Sequence, residues 1–174
     1  MDSTEFRLTG KNSMSCKDPY WSRKVNGPGR KWLLLHDAQG REVFCFGPTS
    51  PKVYDSHLFA RHMETVEHAL PGAVIIADNH FRKASLLTDK LTVVTNISAA
   101  GRPRTVNGKK VKRTLTAQQQ RHNSDVSFIR GRVEAPYGHW QNTFRALGKP
   151  FGDDPDQLDC LVRFAAVVHR LRKD

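Results

Sequence analysis

The sequence is poor in cysteine, with only Cys16, Cys45 and Cys160 among 174 residues. These three residues are far apart, are odd in number and form no Cys-x-x-Cys pair. The spacing therefore argues against a disulfide framework and against a cysteine zinc site, and it favours a reducing compartment.

Long hydrophobic runs and acidic residues are also scarce. No apolar run approaches the roughly 20 residues that span a bilayer. Asp and Glu number 17 against 28 Lys and Arg, so the net charge is +11. Such a surplus favours a polyanionic partner, either nucleic acid or an anionic membrane surface, and nucleic acid is the better fit. At 38% hydrophobic residues, the length suits one domain over residues 1–174.

Several catalytic signatures are absent as well. The chain has no Gly-x-Ser-x-Gly elbow, no papain-type cysteine context, no Gly-x-Gly-x-x-Gly turn and no Walker A loop. These absences argue against serine or cysteine nucleophiles and against the common nucleotide-binding loops. What remains for chemistry is a small set of carboxylates in apolar surroundings.

The most informative of these carboxylates is Asp78. It follows an apolar run, Ala73 to Ala77, which begins after a Pro-Gly pair. Such a run predicts a strand buried on both faces. In open α/β sheets, functional groups gather at the carboxyl ends of strands. Asp78 is therefore a candidate site residue, with an ordinary strand-end residue as the alternative.

The remaining pattern predicts a mixed α/β sheet of five strands covered by helices. The other predicted strands are residues 2–9, 32–36, 43–46 and 91–97, the second and third forming an antiparallel hairpin and the last parallel to the strand before Asp78. Residues 10–30 predict a loop. Predicted helices begin at Asp55 or Ser56, in a short turn over 84–87, at Thr116 and at Pro155.

The helix after Thr116 carries the next candidate, Glu134. Gln119 lies three residues after Thr116, which is the spacing of a capping box. The predicted buried stripe is Val126, Ile129 and Val133. Glu134 follows beside this stripe, and Pro136 predicts a kink or restart near Ala135.

Asp2, on the first predicted strand, completes a set of three carboxylates with Asp78 and Glu134. Three converging carboxylates form a site for hard divalent cations, and two such ions clamp the attacking and leaving oxygens of a phosphodiester. Glu134 has an alternative role as the salt-bridge partner of Arg130. Asp37 and Asp55 have simpler predicted roles, in a turn and as a helix cap.

Residues 99–114 form a strongly basic segment. Its cationic residues are Arg102, Arg104, Lys109, Lys110, Lys112 and Arg113. The segment is either a flap that contacts phosphates or a solvated loop, and Asn107-Gly108 within it predicts a small hairpin. The basic run from Lys109 to Arg113 also indicates import into the nucleus.

Together these motifs resemble a known family in their order and spacing. The matching segments are Asp2 to Glu5, Gly47 to Ser56, Ala77 to Phe81, Leu115 to Gly138 and Leu161 to His169. They are similar to the Asp-x-Thr strand, the Gly-x-x-His-Asp-Ser segment, the second aspartate strand, the glutamate helix and the closing histidine helix of DDE transposases. The chain resembles the Harbinger-like DDE endonuclease domain over essentially its whole length.

This resemblance implies an RNase H-like fold and a catalytic triad of Asp2, Asp78 and Glu134. It implies two Mg²⁺ or Mn²⁺ ions held by the triad, with Arg130 meeting either Glu134 or a phosphate. The implied reaction is metal-dependent attack by water or a DNA 3′-hydroxyl on a phosphodiester. DNA is then the partner, with no membrane and no small-molecule substrate.

The sequence departs from the family pattern in two places. The first strand begins at Met1 rather than with preceding apolar residues, and the family's helical DNA-binding domain is not in this sequence. We therefore expect an N-terminally truncated or domesticated copy, with a separate DNA-binding protein supplying specificity. The alternative function is an inactive, transposase-derived DNA-binding or interaction protein.

Overall fold

The described part of the chain folds as a mixed α/β structure with three α-helices. A computed structural model describes residues 1–8, 17–84, 87–98, 104–106, 109–111, 114–144, 147 and 154–171. Its strands are β1 (Asp2–Arg7), β2 (Trp21–Ser22), β3 (Gly27–His36), β4 (Glu42–Thr49), β5 (Val74–Ile76), β6 (Thr92–Val94), β7 (Arg104–Val106) and β8 (Lys109–Val111). Its helices are α1 (Asp55–Ala69), α2 (Ala117–Thr143) and α3 (Pro155–Leu171).

Strand β3 is the centre of the larger sheet, since it pairs antiparallel with β1, β2 and β4. This pairing confirms the predicted hairpin. The predicted loop over residues 10–30 is wrong from Trp21 onward, because β2 and the start of β3 lie there. Glycine and proline indicated a loop, yet Gly29 permits close pairing: a Cβ there would lie 3.1 Å from the Phe6 carbonyl oxygen.

Both faces of β3 are buried, and Trp32, Leu33 and Leu34 have no exposed surface. Alternate residues of the strand join two different cores. The first core holds Leu33, Leu35, Leu58, Phe59, Met63, Val66, Ile75, Ala77 and Phe81. The second core holds Phe6, Trp32, Leu34, Leu158, Val162 and Ala165. Helices α1 and α3 therefore pack on opposite faces of this strand.

Strands β5 and β6 pair in parallel, with Val74 opposite Thr92, as predicted. The prediction that β5 is buried on both faces is wrong. Val74 is 62% exposed, whereas Ile75 and Ala77 are buried. Burial alternates with the period of two of a strand, because only one face of β5 joins the core under α1. Burial on both faces is found in β3 instead.

The helices begin close to their predicted positions. In α1 the buried residues are Leu58, Phe59, Met63 and Val66. In α3 the Asp154 carboxylate accepts hydrogen bonds from the backbone N–H groups of Asp156 and Gln157, which caps the helix. The predicted turn over 84–87 is supported, since the Leu87 backbone N–H donates to the Ala84 carbonyl oxygen at 3.0 Å; a further 3₁₀ turn lies at Asn79–Phe81. Residues 85 and 86 lie outside the described part.

The predicted small hairpin around Asn107-Gly108 is supported by the two strands on either side of it. Strands β7 and β8 pair antiparallel, with Val106 opposite Lys109. The two turn residues themselves lie outside the described residues. None of the helices that the structure describes has an apolar stretch of the length a bilayer requires.

Gly47 allows β4 to lie close against β3. Its φ is +145°, and a Cβ there would lie 2.8 Å from both the Lys31 carbonyl oxygen and Trp32 Cδ1. We expect Gly47→Ala to lower the free energy of unfolding by about 1–3 kcal/mol or more, because backbone strain adds to overpacking. Urea denaturation measures the change.

Gly72 is the matched control for this prediction. It also has a positive φ, +74°, but a Cβ there would meet nothing within 4 Å. Gly72→Ala therefore measures the cost of forcing alanine into a positive φ without the cost of a steric clash. Equal losses of stability in the two variants would show that the clash of the added Cβ at residue 47 with β3 does not lower stability.

Candidate active site

Asp78 lies directly after β5 and caps the 3₁₀ turn that follows it. One of its carboxylate oxygens, Oδ1, accepts a hydrogen bond of 2.8 Å from the backbone N–H of His80. The side chain is half-buried. This bond fixes the orientation of the carboxylate at the end of the strand. The position agrees with the strand-end placement predicted for Asp78.

The start of β1 lies beside the end of β5. The Met1 nitrogen donates a 2.7 Å hydrogen bond to the Ile76 carbonyl oxygen. On the other side of the strand, Asp2 pairs with Leu34 of β3. The backbone of Asp2 is thus one residue from this hydrogen bond, and Asp78 is two residues from it. The side chain of Asp2 lies outside the described part of the chain.

Helix α2, which carries Glu134, contacts both β1 and β5. Its first turn is closed by the predicted capping box: Gln119 Oε1 accepts from the Thr116 N–H at 3.0 Å, and Thr116 Oγ1 accepts from the Gln119 N–H at 3.2 Å. The Glu134 side chain, like that of Val133, lies outside the described residues.

Helix α2 departs from the predicted pattern in two respects. It runs from Ala117 to Thr143 as one element, so of the predicted kink or restart near Pro136 the restart does not occur. In the predicted stripe, Val126 is buried but Ile129 is 39% exposed. Ile129 lies three residues after Val126, and the buried part of the stripe is therefore narrower than predicted.

No three His, Cys, Asp or Glu side chains converge as a metal site within the part of the chain whose side chains are described. That part includes Asp78. It excludes the side chains of Asp2 and Glu134.

The sequence matches the family model of the DDE superfamily endonucleases over residues 1–170. The chain belongs to this family. At family level it is a transposase-type nuclease, a class that acts on DNA and generally uses divalent metal ions. Comparisons with curated proteins and with solved structures gave no match.

The basic residues predicted to contact DNA in this DDE endonuclease fall into three groups. Arg104, Lys109 and Lys110 lie on the strands of the β7–β8 hairpin. Arg130 lies on α2, one turn before Glu134, and is half-buried. Arg102, Lys112 and Arg113 lie outside the described residues.

A largely buried ionic network lies beside the start of β1, and the sequence pattern does not predict it. Lys31 Nζ donates to the carboxylate of Asp55 at 3.0 Å and to the Val53 carbonyl oxygen at 2.9 Å, and it lies 3.6 Å from Glu5. Asp55 also accepts from Ser3 Oγ at 2.8 Å. Asp55 was predicted as a helix cap, which is wrong: Tyr54 is the N-cap residue, and the carboxylate turns toward Lys31 instead.

The network borders a cavity of about 270 Å³ next to the Asp78 turn. Lys31, Asp55 and His80 contribute to its wall. Since Ser3 follows Asp2 and the His80 N–H bonds to Asp78, the cavity lies close in sequence to both candidate catalytic aspartates. Alternation of β1 could have indicated an inward Glu5, but a strand pattern does not reveal its cationic partner.

A second buried polar cluster was also missed. Glu42 accepts from His169 Nδ1 at 2.9 Å, and His36 Nε2 lies 3.4 Å from its other oxygen. Burial alone would raise the pKa of the Glu42 carboxyl, but its interactions with His36 and His169 outweigh the effect of burial and hold the pKa below its ordinary value. The cluster ties the last turns of α3 to the β3–β4 hairpin.

We expect Lys31→Met to lower the free energy of unfolding by about 3–5 kcal/mol, because Glu5 and Asp55 would stay buried without their cation. Chemical denaturation measures the loss. Lys90→Met is the matched control: Lys90 is 75% exposed and 3.8 Å from Glu67, a pair worth about 0–1 kcal/mol. Similar losses in both variants would contradict a stabilising role for the buried network.

Glu42 gives a pH-dependent prediction. Because its pKa is lowered by folding, its stabilising contribution is complete above its ordinary pKa of 4.5 and is lost as the pH falls through the lower folded value. We expect Glu42→Gln to be less stable than wild type at pH 6 by about 1–3 kcal/mol. Urea titrations should show the two converging below pH 4. Glu64 is exposed, so Glu64→Gln should have the same dependence of stability on pH as the wild type. A loss of stability in Glu42→Gln that is the same at every pH would contradict the link between Glu42 ionisation and stability.

Proposed function

We propose that this chain is a Harbinger-like DDE endonuclease domain that cleaves DNA phosphodiesters through Asp2, Asp78 and Glu134. The observation that carries the proposal is the hydrogen bond from Met1 to Ile76, 2.7 Å long. It brings the strand that begins with Asp2 beside the strand that ends before Asp78. Helix α2, which carries Glu134, contacts both strands.

The strand arrangement supports an RNase H-like fold. In the larger sheet, β1 and β4 both pair with β3. The Met1–Ile76 hydrogen bond supports a position for the parallel pair β5–β6 on the free side of β1. In the proposed fold the order is β4-β3-β1-β5-β6, a five-stranded mixed sheet in which Asp2 begins one central strand and Asp78 follows the adjacent one.

The three carboxylates suit Mg²⁺ or Mn²⁺, which prefer oxygen ligands. Two such ions, when bound, stabilise the attacking and leaving oxygens of the phosphodiester. Among the protein groups, the His80 N–H holds the Asp78 carboxylate in one orientation. Glu134 holds the second ion or orients the nucleophile. Arg130, one turn earlier, either holds Glu134 in place or meets a phosphate.

The charge of the chain supports DNA as the substrate. A net charge of +11 attracts phosphates before any specific contact forms. The basic surface comprises Arg102, Arg104, Lys109, Lys110, Lys112, Arg113 and Arg130. In this proposal the protein acts in the nucleus, and a separate DNA-binding protein selects the target sequence.

Plasmid nicking tests the reaction. We expect Mg²⁺- or Mn²⁺-dependent nicking by the wild type and a loss of roughly 10³-fold or more in Asp78→Asn, since one removed triad carboxylate disables the whole site. Asp89→Asn is the control, because Asp89 is an exposed loop residue. If Asp78→Asn nicks as fast as Asp89→Asn, the assignment of Asp78 is wrong.

Thermal melting with metal distinguishes an active domain from an inactive descendant. Binding of Mn²⁺ to the folded state raises the melting temperature of the wild type, and Asp78→Asn should lose this rise. DNA binding without a metal shift and without nicking would instead support the inactive, transposase-derived binding protein.

A further inference from the structure

Helix α2 is attached to the segment after β6 by a two-pronged hydrogen bond from one side chain. Asn123 Oδ1 accepts from the Ile97 backbone N–H at 2.7 Å, and Asn123 Nδ2 donates to the Ile97 carbonyl oxygen at 2.8 Å. The amide thus satisfies both polar groups of one residue, as a neighbouring strand would. We call this pair of bonds the Asn123 clamp.

The neighbouring residue strengthens the attachment. His122 Nε2 lies 3.1 Å from the Thr95 carbonyl oxygen. Two consecutive residues of α2 therefore contact two backbone positions of the same extended segment. A shift of α2 by one residue would move the helix about 1.5 Å along its axis and rotate it by about 100°, which breaks both contacts. The clamp therefore fixes the register of the helix.

The position of Glu134 follows from this register. It lies eleven residues after Asn123, which is about 20° beyond three full turns and roughly 16 Å along the axis. Val126 and Arg130 lie between them at steps of three and four, on the same stripe of the helix. Val126 is buried, so this stripe faces the protein. A displacement of the helix at Asn123 would therefore also displace residue 134, because the helix moves as a rigid unit.

We propose that Asn123 is a positioning residue for the endonuclease site, because its clamp on Ile97 sets where Glu134 meets Asp78. This inference rests on the function proposed above. Asn123 lies roughly 16 Å along the helix axis from Glu134, and in this inference it takes no part in the chemistry itself. Its effect is transmitted through the placement of α2, and a displacement of about 1 Å at a reacting group can cost about 100-fold in rate.

The decisive experiment compares Asn123→Ala with Gln120→Ala. Gln120 is an exposed residue of the same helix whose amide donates to the Leu115 carbonyl oxygen at 3.2 Å, just before the helix begins. Both variants remove one amide from α2 and add alanine, the best helix former. Only Asn123→Ala removes an attachment to the segment after β6.

We expect Asn123→Ala to lower the nicking rate by roughly 10–100-fold and to raise the Mn²⁺ concentration required for half-maximal nicking, as losses around metal sites do. Gln120→Ala should keep both values near wild type. Asn123→Asp retains the acceptor and loses the donor, and its rate should lie between those of wild type and Asn123→Ala. A purely structural role would lower the melting temperature and leave the Mn²⁺ requirement at 25 °C unchanged.

Hydrogen exchange at the Ile97 amide shows whether the clamp has opened. We expect faster exchange there in Asn123→Ala and not in Gln120→Ala. Fast exchange together with a wild-type rate and Mn²⁺ requirement overturns the inference, and so does continued protection of Ile97 in Asn123→Ala. A wild type without nicking removes the proposed function and this inference together, whereas an active wild type with an equally active Asn123→Ala removes this inference alone.

Discussion

Burial of β3 on both faces is the constraint on which the rest of the structure depends. Trp32, Leu33 and Leu34 are completely enclosed, which requires a helix on each side of the strand and a paired strand along each edge. Helix α1 covers one face and α3 the other. Strand β1 pairs along one edge of β3, with Asp2 opposite Leu34, so the position of Asp2 is a consequence of how β3 is covered.

Polar groups around this core are paired rather than excluded. Lys31 lies on the central strand itself and is 7% exposed, and its charge is met by Glu5 and Asp55. Trp32, the next residue, donates its indole N–H to Asp159 of α3 at 3.2 Å. Such pairs contribute less to net stability than to specificity, because only one arrangement of β1, β3 and the helices satisfies them all.

The sequence predicts elements with a strong local signal. The hairpin of β3 and β4, the parallel pairing of β5 and β6, and the capping box at Thr116 are visible locally because turns, crossovers and caps have their own residue preferences. The start of β3 is hidden by its Gly-Pro-Gly composition, since the reason for Gly29 is a neighbouring strand. The exposure of Val74 could not be predicted either, because a short apolar run does not indicate whether one or both faces of the strand are buried.

The candidate site was predicted at the level of residues and only partly at the level of geometry. The placement of Asp78 at a strand end follows from the apolar run before it. The role of Asp55 does not, because its partner Lys31 is 24 residues away. The same limit applies to Glu42 and His169, which meet across 127 residues. Contacts of this length depend on the whole topology and leave no periodic trace in the chain.

The Met1–Ile76 hydrogen bond has a consequence for folding. Its two atoms belong to residues 75 positions apart, so the contact between β1 and β5 closes a loop that contains α1 and the β3–β4 hairpin. Pairings of such long range carry a large loop-closure entropy and form slowly. We therefore expect β1 and β5 to come together late in folding, and no short fragment of the chain would reproduce their arrangement.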